Sequence, residues 1–343
     1  MDEITRTKRN RLPSMYDVAR LAGVSQTTVS FVVNNVASAA ISQETRDRVW
    51  AAVHALGWRP NAMARSLRTR HSQTLGLISD EVVTSPYAVR IILGAQEAAW
   101  VGQQMLLVVN TSGQCDIEQT ALRFMLERRV EGLMYATMYH HEVVPPPELQ
   151  SVPVILVNCF VADRSLPAII PDEVQGGYTA TEALIQRGHY RIAFINEVIP
   201  MPALFGRLEG YRQALANYGL PFDPTLVRSC HSNAHDAFAV AFALLEREDR
   251  PTAIFCFNDK MAMGVYDAIK RLGLRIPQDV AVIGFDNLEL IAAQLYPPLT
   301  TIALPHYEMG RRAVELLQAS PAGENVPPTQ HYLPCPLVER ASI

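Results

Sequence analysis

From Tyr16 to Asn35 the sequence reads Tyr-Asp-Val-Ala-Arg-Leu-Ala-Gly-Val-Ser-Gln-Thr-Thr-Val-Ser-Phe-Val-Val-Asn-Asn, two amphipathic stretches parted only by Gly23-Val24-Ser25. Two helices joined by so short a turn form a helix-turn-helix, whose second helix presents its outer side chains to base edges in the major groove. With Val29, Val32 and Val33 turned inward, Gln26, Thr27, Ser30 and Phe31 are expected on the outward face, where short polar groups meet the donors and acceptors of base pairs. Tyr16 and the basic arm from Lys8 to Arg11 would hold phosphates and set register without reading sequence. An ordinary helical hairpin is the plainer alternative; the turn spacing and the positive charge around it favour the DNA-reading one.

Other groupings of reactive residues carry less. His231 and His235 have one-turn helical spacing, and His140-His141-Glu142 crowds three potential ligands, but neither brings a third and fourth metal partner, so loop or pocket roles are expected. The chain has no Gly-rich phosphate loop, no Gly-x-Ser-x-Gly elbow and no zinc-hydrolase helix pattern. An enzyme reading therefore has no nucleophile or acid/base pair to stand on, and no cofactor is implied. Cys115, Cys159, Cys230, Cys256 and Cys335 are scattered without a paired motif, which suits reduced thiols in a cytoplasmic chain.

The elements that must position these residues follow from apolar spacing. Residues 16–56 read as three short helices on Val18, Leu21 and Ala22, then Val29, Val32 and Val33, then Val49, Ala52, Val53 and Leu56. Gly23 and Gly57 are placed to end helices, and Ser25 and Ser42 to cap the second and third. After Trp58-Arg59-Pro60, the stretch from Asn61 to Leu67 is a short helix at most, marginal without a partner. From Thr74 onward apolar strands alternate with amphipathic helices, clearest at Thr74–Ile78, Met105–Val109, Gly132–Tyr135, Val154–Val157, Ile192–Ile195, Ala253–Phe257 and Val280–Ile283. Seven or more such strands exceed one comfortable sheet, so two doubly wound α/β lobes with a ligand cleft between them are expected.

Charge divides along the same line. Of 30 Lys/Arg and 34 Asp/Glu, residues 1–71 hold 11 and 5, leaving 19 and 29 behind them. A basic head on an acidic body suits phosphate binding, although a basic segment for a membrane surface or an acidic protein would share the sign. No apolar stretch follows the charged N-terminus, and no run approaches the ~18 residues of a membrane span.

Together these residues resemble the LacI/GalR family of bacterial transcription regulators. The likeness rests on Tyr16-Asp17-Val18-Ala19, Ala22-Gly23-Val24-Ser25 and Thr28-Val29-Ser30, then Pro60-Asn61 and Ala64-Arg65-Ser66-Leu67. It continues through Arg187-Gly188-His189, Gly206-Arg207, Asn258-Asp259-Lys260-Met261-Ala262, Gly284-Phe285-Asp286-Asn287 and Leu337-Val338-Glu339-Arg340. The resemblance implies an all-α helix-turn-helix head in residues 1–58, a hinge helix and linker in 59–73, and a two-lobed core like a periplasmic binding protein in 74–343.

It also implies a homodimer on pseudo-palindromic operator DNA, repressing under control of a small effector, a sugar or sugar derivative. The implied DNA-contacting set is Tyr16, Ser25, Gln26, Thr27, Thr28, Ser30, Phe31 and Asn34 in the head, with Asn61, Ala64, Arg65, Leu67 and Arg68 in the hinge. In the family two hinge helices pair in the minor groove and wedge a leucine into the central step; here that residue is Leu67. A plain linker is the alternative.

Phe31 departs from the family, since many relatives carry Arg or His at that position. Phe cannot make a bidentate contact to guanine and would pack on thymine methyls instead, unless it is buried. For the effector, Arg207 offers a planar fork suited to adjacent hydroxyls or a carboxylate, and Asp286 an acceptor for hydroxyls. Tyr87, Asn158, His231 and Asn258 align with further pocket positions. A surface or interlobe ion pair is the alternative for Arg207 and Asp286. A sugar receptor or a sugar-processing enzyme remains the rival reading of the core, and leaves residues 1–71 unexplained.

Overall fold

A computed structural model describes residues 13–36, 39–59, 71–86, 88–320 and 324–343. The chain separates into two compact units, Met1–Ser72 and Gln73–Ile343. The basic arm, the expected hinge helix with Asn61, Ala64, Arg65, Leu67 and Arg68, and Tyr87 lie outside the described residues.

The first unit holds α1 (Met15–Ala22), α2 (Gln26–Val33) and α3 (Gln43–Leu56). Each begins on a serine. Ser14 and Asp17 form a reciprocal capping box on α1, while Ser25 and Ser42 accept from the backbone N–H of Thr28 and Thr45. Gly23 and Gly57 end α1 and α3 in the left-handed region that glycine enters at no steric cost. Val18, Val29 and Val49 meet at the centre of the small core, and Trp58 packs against its side. Leu21, expected on the inner face of α1, is exposed instead. The core of so small a unit is filled by Val18, Ala19 and Ala22, which leaves Leu21 on the flank.

The second unit carries two parallel sheets, and every expected strand is present. One sheet contains β1 (Thr74–Ser79), β2 (Met105–Asn110), β3 (Leu133–Glu142), β4 (Val154–Phe160), β5 (Ala168–Pro171) and β11 (Gln330–Leu333), in the order β11-β5-β4-β3-β1-β2. The other contains β6 (Ile192–Glu197), β7 (Val227–Cys230), β8 (Ala253–Cys256), β9 (Ala281–Asp286), β10 (Thr300–Ala303) and β12 (Leu337–Val338), ordered β12-β10-β9-β8-β6-β7. Among the described residues only β12 runs antiparallel to its neighbour. Both lobes thus repeat one winding without a repeat in sequence, and each has a switch point, between β1 and β3 and between β6 and β8. Ligands of such sheets bind at the carboxyl ends of the strands beside that point.

The chain passes between the lobes three times: from β5 into α6 (Glu173–Ile185), from β10 into α11 (His306–Ala319), and from β11 to β12. Sequence alone signalled none of these returns, because the strands that mark them are only two to four residues long. The first lobe buries apolar side chains on both faces of its sheet, against α4 (Arg90–Val101) and α11 on one side and α5 (Cys115–Glu127) on the other. In the second lobe α7 (Pro202–Asn217), α8 (Ala234–Leu245) and α9 (Asp259–Arg271) flank the sheet together with α6. A four-residue helix, α10 (Glu289–Ala292), follows β9. No helix among the described residues is long and apolar enough to cross a membrane.

Candidate DNA-reading face and ligand cleft

On α2 the exposed side is formed by Gln26, Thr27 and Phe31, with Tyr16 of α1 beside them in sequence order at 57% exposure. Phe31 is 39% exposed, so the buried alternative for it does not hold. Ser30 departs from expectation: it is buried. Its helical phase places it next to Val29, and Asn34 folds back over it, donating from Nδ2 to the Ser30 carbonyl at 2.7 Å and to Oγ at 3.3 Å. Ser25 and Thr28 are joined to each other, Oγ to Oγ1 at 2.9 Å, as part of the helix cap. The exposed edge of α2 is therefore narrower than the sequence suggested, and Phe31 is its largest apolar group.

In the core unit the candidate ligand residues gather around one buried arginine. Arg207, on α7, is 3% exposed. Its Nε donates to Glu173 Oε2 at 2.8 Å, Nη1 donates to the Phe257 carbonyl, and Nη2 lies 3.8 Å from Asp286 Oδ1. The guanidinium lies close to two rings, 3.6 Å from the centroid of Phe285 and 4.3 Å from that of Phe257.

Three glycines make that meeting sterically available. A Cβ on Gly206 would lie 2.6 Å from the Cβ of Glu173, one on Gly177 would lie 2.4 Å from the Arg207 carbonyl oxygen, and one on Gly210 would lie 2.1 Å from that of Val174. Helices α6 and α7 therefore touch backbone to backbone, which sets Glu173, at the first turn of α6, against Arg207. Breaking a buried pair of this kind costs roughly 3–5 kcal/mol because the survivor keeps an uncompensated charge.

Across from this pair stands His140, on β3 of the other lobe. Its Nδ1 lies 3.9 Å from Glu173 Oε1, within ion-pair range yet too long for a hydrogen bond. Both ring nitrogens are buried without a hydrogen-bond partner among the described residues, and Phe160 meets the ring edge-on at 5.5 Å. An unpaired buried polar group costs about 1–3 kcal/mol. Asn158 helps to place this residue: with φ of 61°, it donates from Nδ2 to the carbonyls of Thr137 and Met138, both at 3.0 Å. Those carbonyls lie where the pairing of β3 with β4 shifts register between Ala136 and His141.

Electrostatics separate the two acids. Burial pushes the Glu173 carboxyl up, but Arg207 and His140 together outweigh it and hold it at about 2. Asp286 is raised to about 7: burial outweighs the opposing pull of Arg207, and the neighbouring Glu173 adds to the rise against a smaller pull from Lys260. Asp286 also sits at φ of 102°, a conformation few non-glycine residues adopt, at the carboxyl end of β9. Just behind it, Asp259 accepts from Thr301 Oγ1 at 2.6 Å and from the Leu288 N–H at 2.7 Å. A cavity of about 490 Å³ opens between the lobes at Asp286, lined also by Pro86, Arg90, Leu290 and Glu308.

The remaining candidates are more dispersed. Asn258 caps α9, accepting from the Met261 N–H at 2.9 Å and donating to Ser232. His231 is exposed just past the edge strand β7. Glu173, His140, Phe257 and Phe285 were not named as ligand residues from sequence. Glu173 reads there as an ordinary acid at a helix start, and His140 as one of a crowded trio.

Comparison with known proteins follows the same division. Residues 14–61 match the model of "Bacterial regulatory proteins, lacI family", and residues 72–338 that of "Periplasmic binding proteins and sugar binding domain of LacI family". The ribose operon repressor of Haemophilus influenzae is 34% identical over 306 residues, spanning 89% of this chain and 91% of its own. The HTH-type transcriptional repressor PurR of Aliivibrio salmonicida is 33% identical over 308 residues, with the same coverage of 89% and 91%. Among solved structures, the lac repressor dimer bound to operator and the anti-inducer ONPF aligns with a TM-score of 0.75 at 28% identity, covering 97% of this chain and 99% of that one. The complex of the transcriptional regulator CelR with cellobiose aligns at 0.65 and 29% identity, covering 96% and 99%. With a helix-turn-helix head, two doubly wound lobes and matches along nearly its whole length, the chain belongs to the LacI family of bacterial regulatory proteins.

Proposed function

We propose that the chain is a homodimeric transcriptional repressor that binds a pseudo-palindromic operator and releases or engages it when a sugar or sugar derivative occupies the cleft between its core lobes. The observation that carries this reading is the pairing, in one chain, of a serine-capped α2 exposing Gln26, Thr27 and Phe31 with the interlobe array of His140, Glu173, Arg207 and Asp286. The relatives support it: they are named as repressors, and structures of two others hold operator DNA with a ligand, and cellobiose. In this reading residues 1–58 are the DNA-binding head, 59–73 the hinge and 74–343 the sensor. The protein works in the cytoplasm on nucleoid DNA.

The mechanism is linkage. A ligand that prefers one orientation of the lobes changes the population in which the two hinges pair, and operator affinity follows. Tyr16, Gln26, Thr27 and Phe31 contact the half-site, Ser25, Thr28, Ser30 and Asn34 hold that edge in place, and Asn61, Ala64, Arg65, Leu67 and Arg68 serve the hinge. Tyr87, Asn158, Arg207, His231, Asn258 and Asp286 belong to the effector site, Asn158 and Asn258 by fixing backbone around it. Selection of genomic fragments on the purified protein tests the reading: it yields an enriched pseudo-palindrome whose affinity Leu67→Ala weakens. Recovery of no enriched site rejects it.

A further inference from the structure

Two stretches singled out in the sequence, Gly284 to Asn287 and Leu337 to Arg340, stand far apart along the chain and meet at one side chain. Arg340 donates from Nη2 to Asn287 Oδ1 at 2.8 Å and from Nη1 to the Leu299 carbonyl at 2.9 Å. A single planar guanidinium therefore spans both ends of the segment 287–299 that joins β9 to β10. Its own backbone is anchored. The Arg340 N–H donates to Thr300 Oγ1 at 2.8 Å, and the buried Ser342 ties β9 to β10, its Oγ donating to the Val282 carbonyl at 2.6 Å and accepting from the Thr300 N–H at 2.8 Å. Glu339 meets Arg187, just beyond the end of α6, at 2.7 Å. A side chain rooted in this way acts as a strut.

The turn it reaches is one that needs support. Asp286 and Asn287 have φ of 102° and 51°, two consecutive residues on the left-handed side and neither a glycine. From the other side Asp259 accepts from the Leu288 N–H at 2.7 Å, in space that Gly284 leaves open, since a Cβ there would lie 2.3 Å from Asp259 Oδ1. Asp259 thus holds the turn by its backbone, and Arg340 holds it by the Asn287 side chain.

We propose that Arg340 is a positioning residue of the ligand cleft: acting through Asn287, it fixes the turn that presents Asp286 between the lobes. This rests on the reading that Asp286 belongs to the effector site.

The titration of Asp286 reports on its position without any ligand. Its carboxyl is raised to about 7 chiefly by burial, with Arg207 and Lys260 opposing and Glu173 adding, and Asp259 stands behind it. The Asp286 share of the pH dependence is the part of the fall in melting temperature from pH 4 to pH 7 that Asp286→Asn removes. Releasing the turn admits water to the carboxyl, so the share shrinks. Asn287→Gly releases it with no change of charge, and glycine accepts a φ of 51°. Melts of the full-length protein are expected to show the share at least halved in Asn287→Gly and likewise in Arg340→Ala. Each background is compared with its own Asp286→Asn partner, which takes the effect of losing the Arg340 charge on Asp259 out of the difference. Either variant decides the matter if the other fails to fold. A role confined to anchoring the C-terminal segment would lower the melting temperature and leave the share intact; that result overturns the proposal. So does a wild type with no Asp286 share, which would have no buried carboxyl to position.

Thermal shift by D-ribose and cellobiose on the same proteins carries the effect to a ligand. A probe that stabilises wild type and not Asp286→Asn is expected to bind Asn287→Gly about tenfold more weakly. Undiminished binding to Asn287→Gly counts against the positioning role. A probe that stabilises Asp286→Asn as well as wild type instead rejects Asp286 as an effector residue and leaves the pH result standing, so the two failures are distinct.

Discussion

Asp286 is pulled between a buried position and a neighbour that has already chosen another partner. Arg207 Nε sits 2.8 Å from Glu173, while its Nη2 is 3.8 Å from Asp286. Glu173 is held at about 2, so its contribution to stability is present above the ordinary carboxylate range and is lost as pH falls toward that value. Asp286 is raised to about 7, which reverses the sign. Near pH 4 and below, the folded and unfolded chains both hold its proton and it costs nothing. Between there and about pH 7 the unfolded chain has released a proton that the fold retains, so stability declines as pH rises. Asp286→Asn is therefore expected to flatten the fall in melting temperature between about pH 4 and pH 7, by at most a few kcal/mol in stability at the upper end. Melts of both proteins across that range decide it; an undiminished fall in the variant assigns the titration elsewhere. Sequence pointed to Arg207 and Asp286 through their resemblance to a family pattern, but it could not show that Glu173, 34 residues before Arg207, takes the guanidinium first. That fact depends on two helices meeting.

The meeting of α6 and α7 is an element-scale property, and glycine is its means. An alanine Cβ at position 177 would stand 2.4 Å from the Arg207 carbonyl oxygen and 2.7 Å from its Cα, both backbone atoms that cannot swing away. Gly177→Ala should force the helices apart, costing about 1–3 kcal/mol as overpacking usually does. It should also loosen the Glu173–Arg207 contact, so ligand-induced stabilisation falls more than the melting temperature of the free protein alone would suggest. Retained ligand response in a destabilised Gly177→Ala protein would mean that Arg207 does not depend on this contact. Elements of the head were legible because their signals are local: Ser25 caps α2 within three residues, and Val18, Val29 and Val49 mark their own faces. Ser30 was misplaced because whether a small side chain at the edge of a helix is covered depends on Asn34, one turn onward. β8, equally short, stood out as an unbroken apolar run, whereas β7 is broken by Arg228 and Ser229 and β5 is closed by Pro171.

At the scale of the whole molecule the two units differ in the kind of force they use. Residues 1–71 carry 11 Lys/Arg and 5 Asp/Glu, whereas the remainder carries 19 and 29. Binding to a duplex exchanges condensed counterions for those cations, so it weakens steeply with salt; a ligand held by hydrogen bonds in a buried cleft releases none. Operator affinity is therefore expected to fall by about a thousandfold or more between roughly 50 and 200 mM salt if the dimer neutralises six to ten phosphates, while affinity for an uncharged ligand stays within about twofold. Two titrations on one preparation, labelled operator and a neutral ligand over the same salt series, give the slopes. A ligand affinity that falls in parallel with operator affinity would mean that charge, and not hydrogen bonding, holds the ligand. A flat operator curve would instead remove the basic head from the binding energy and leave the contacts of α2 to carry it alone.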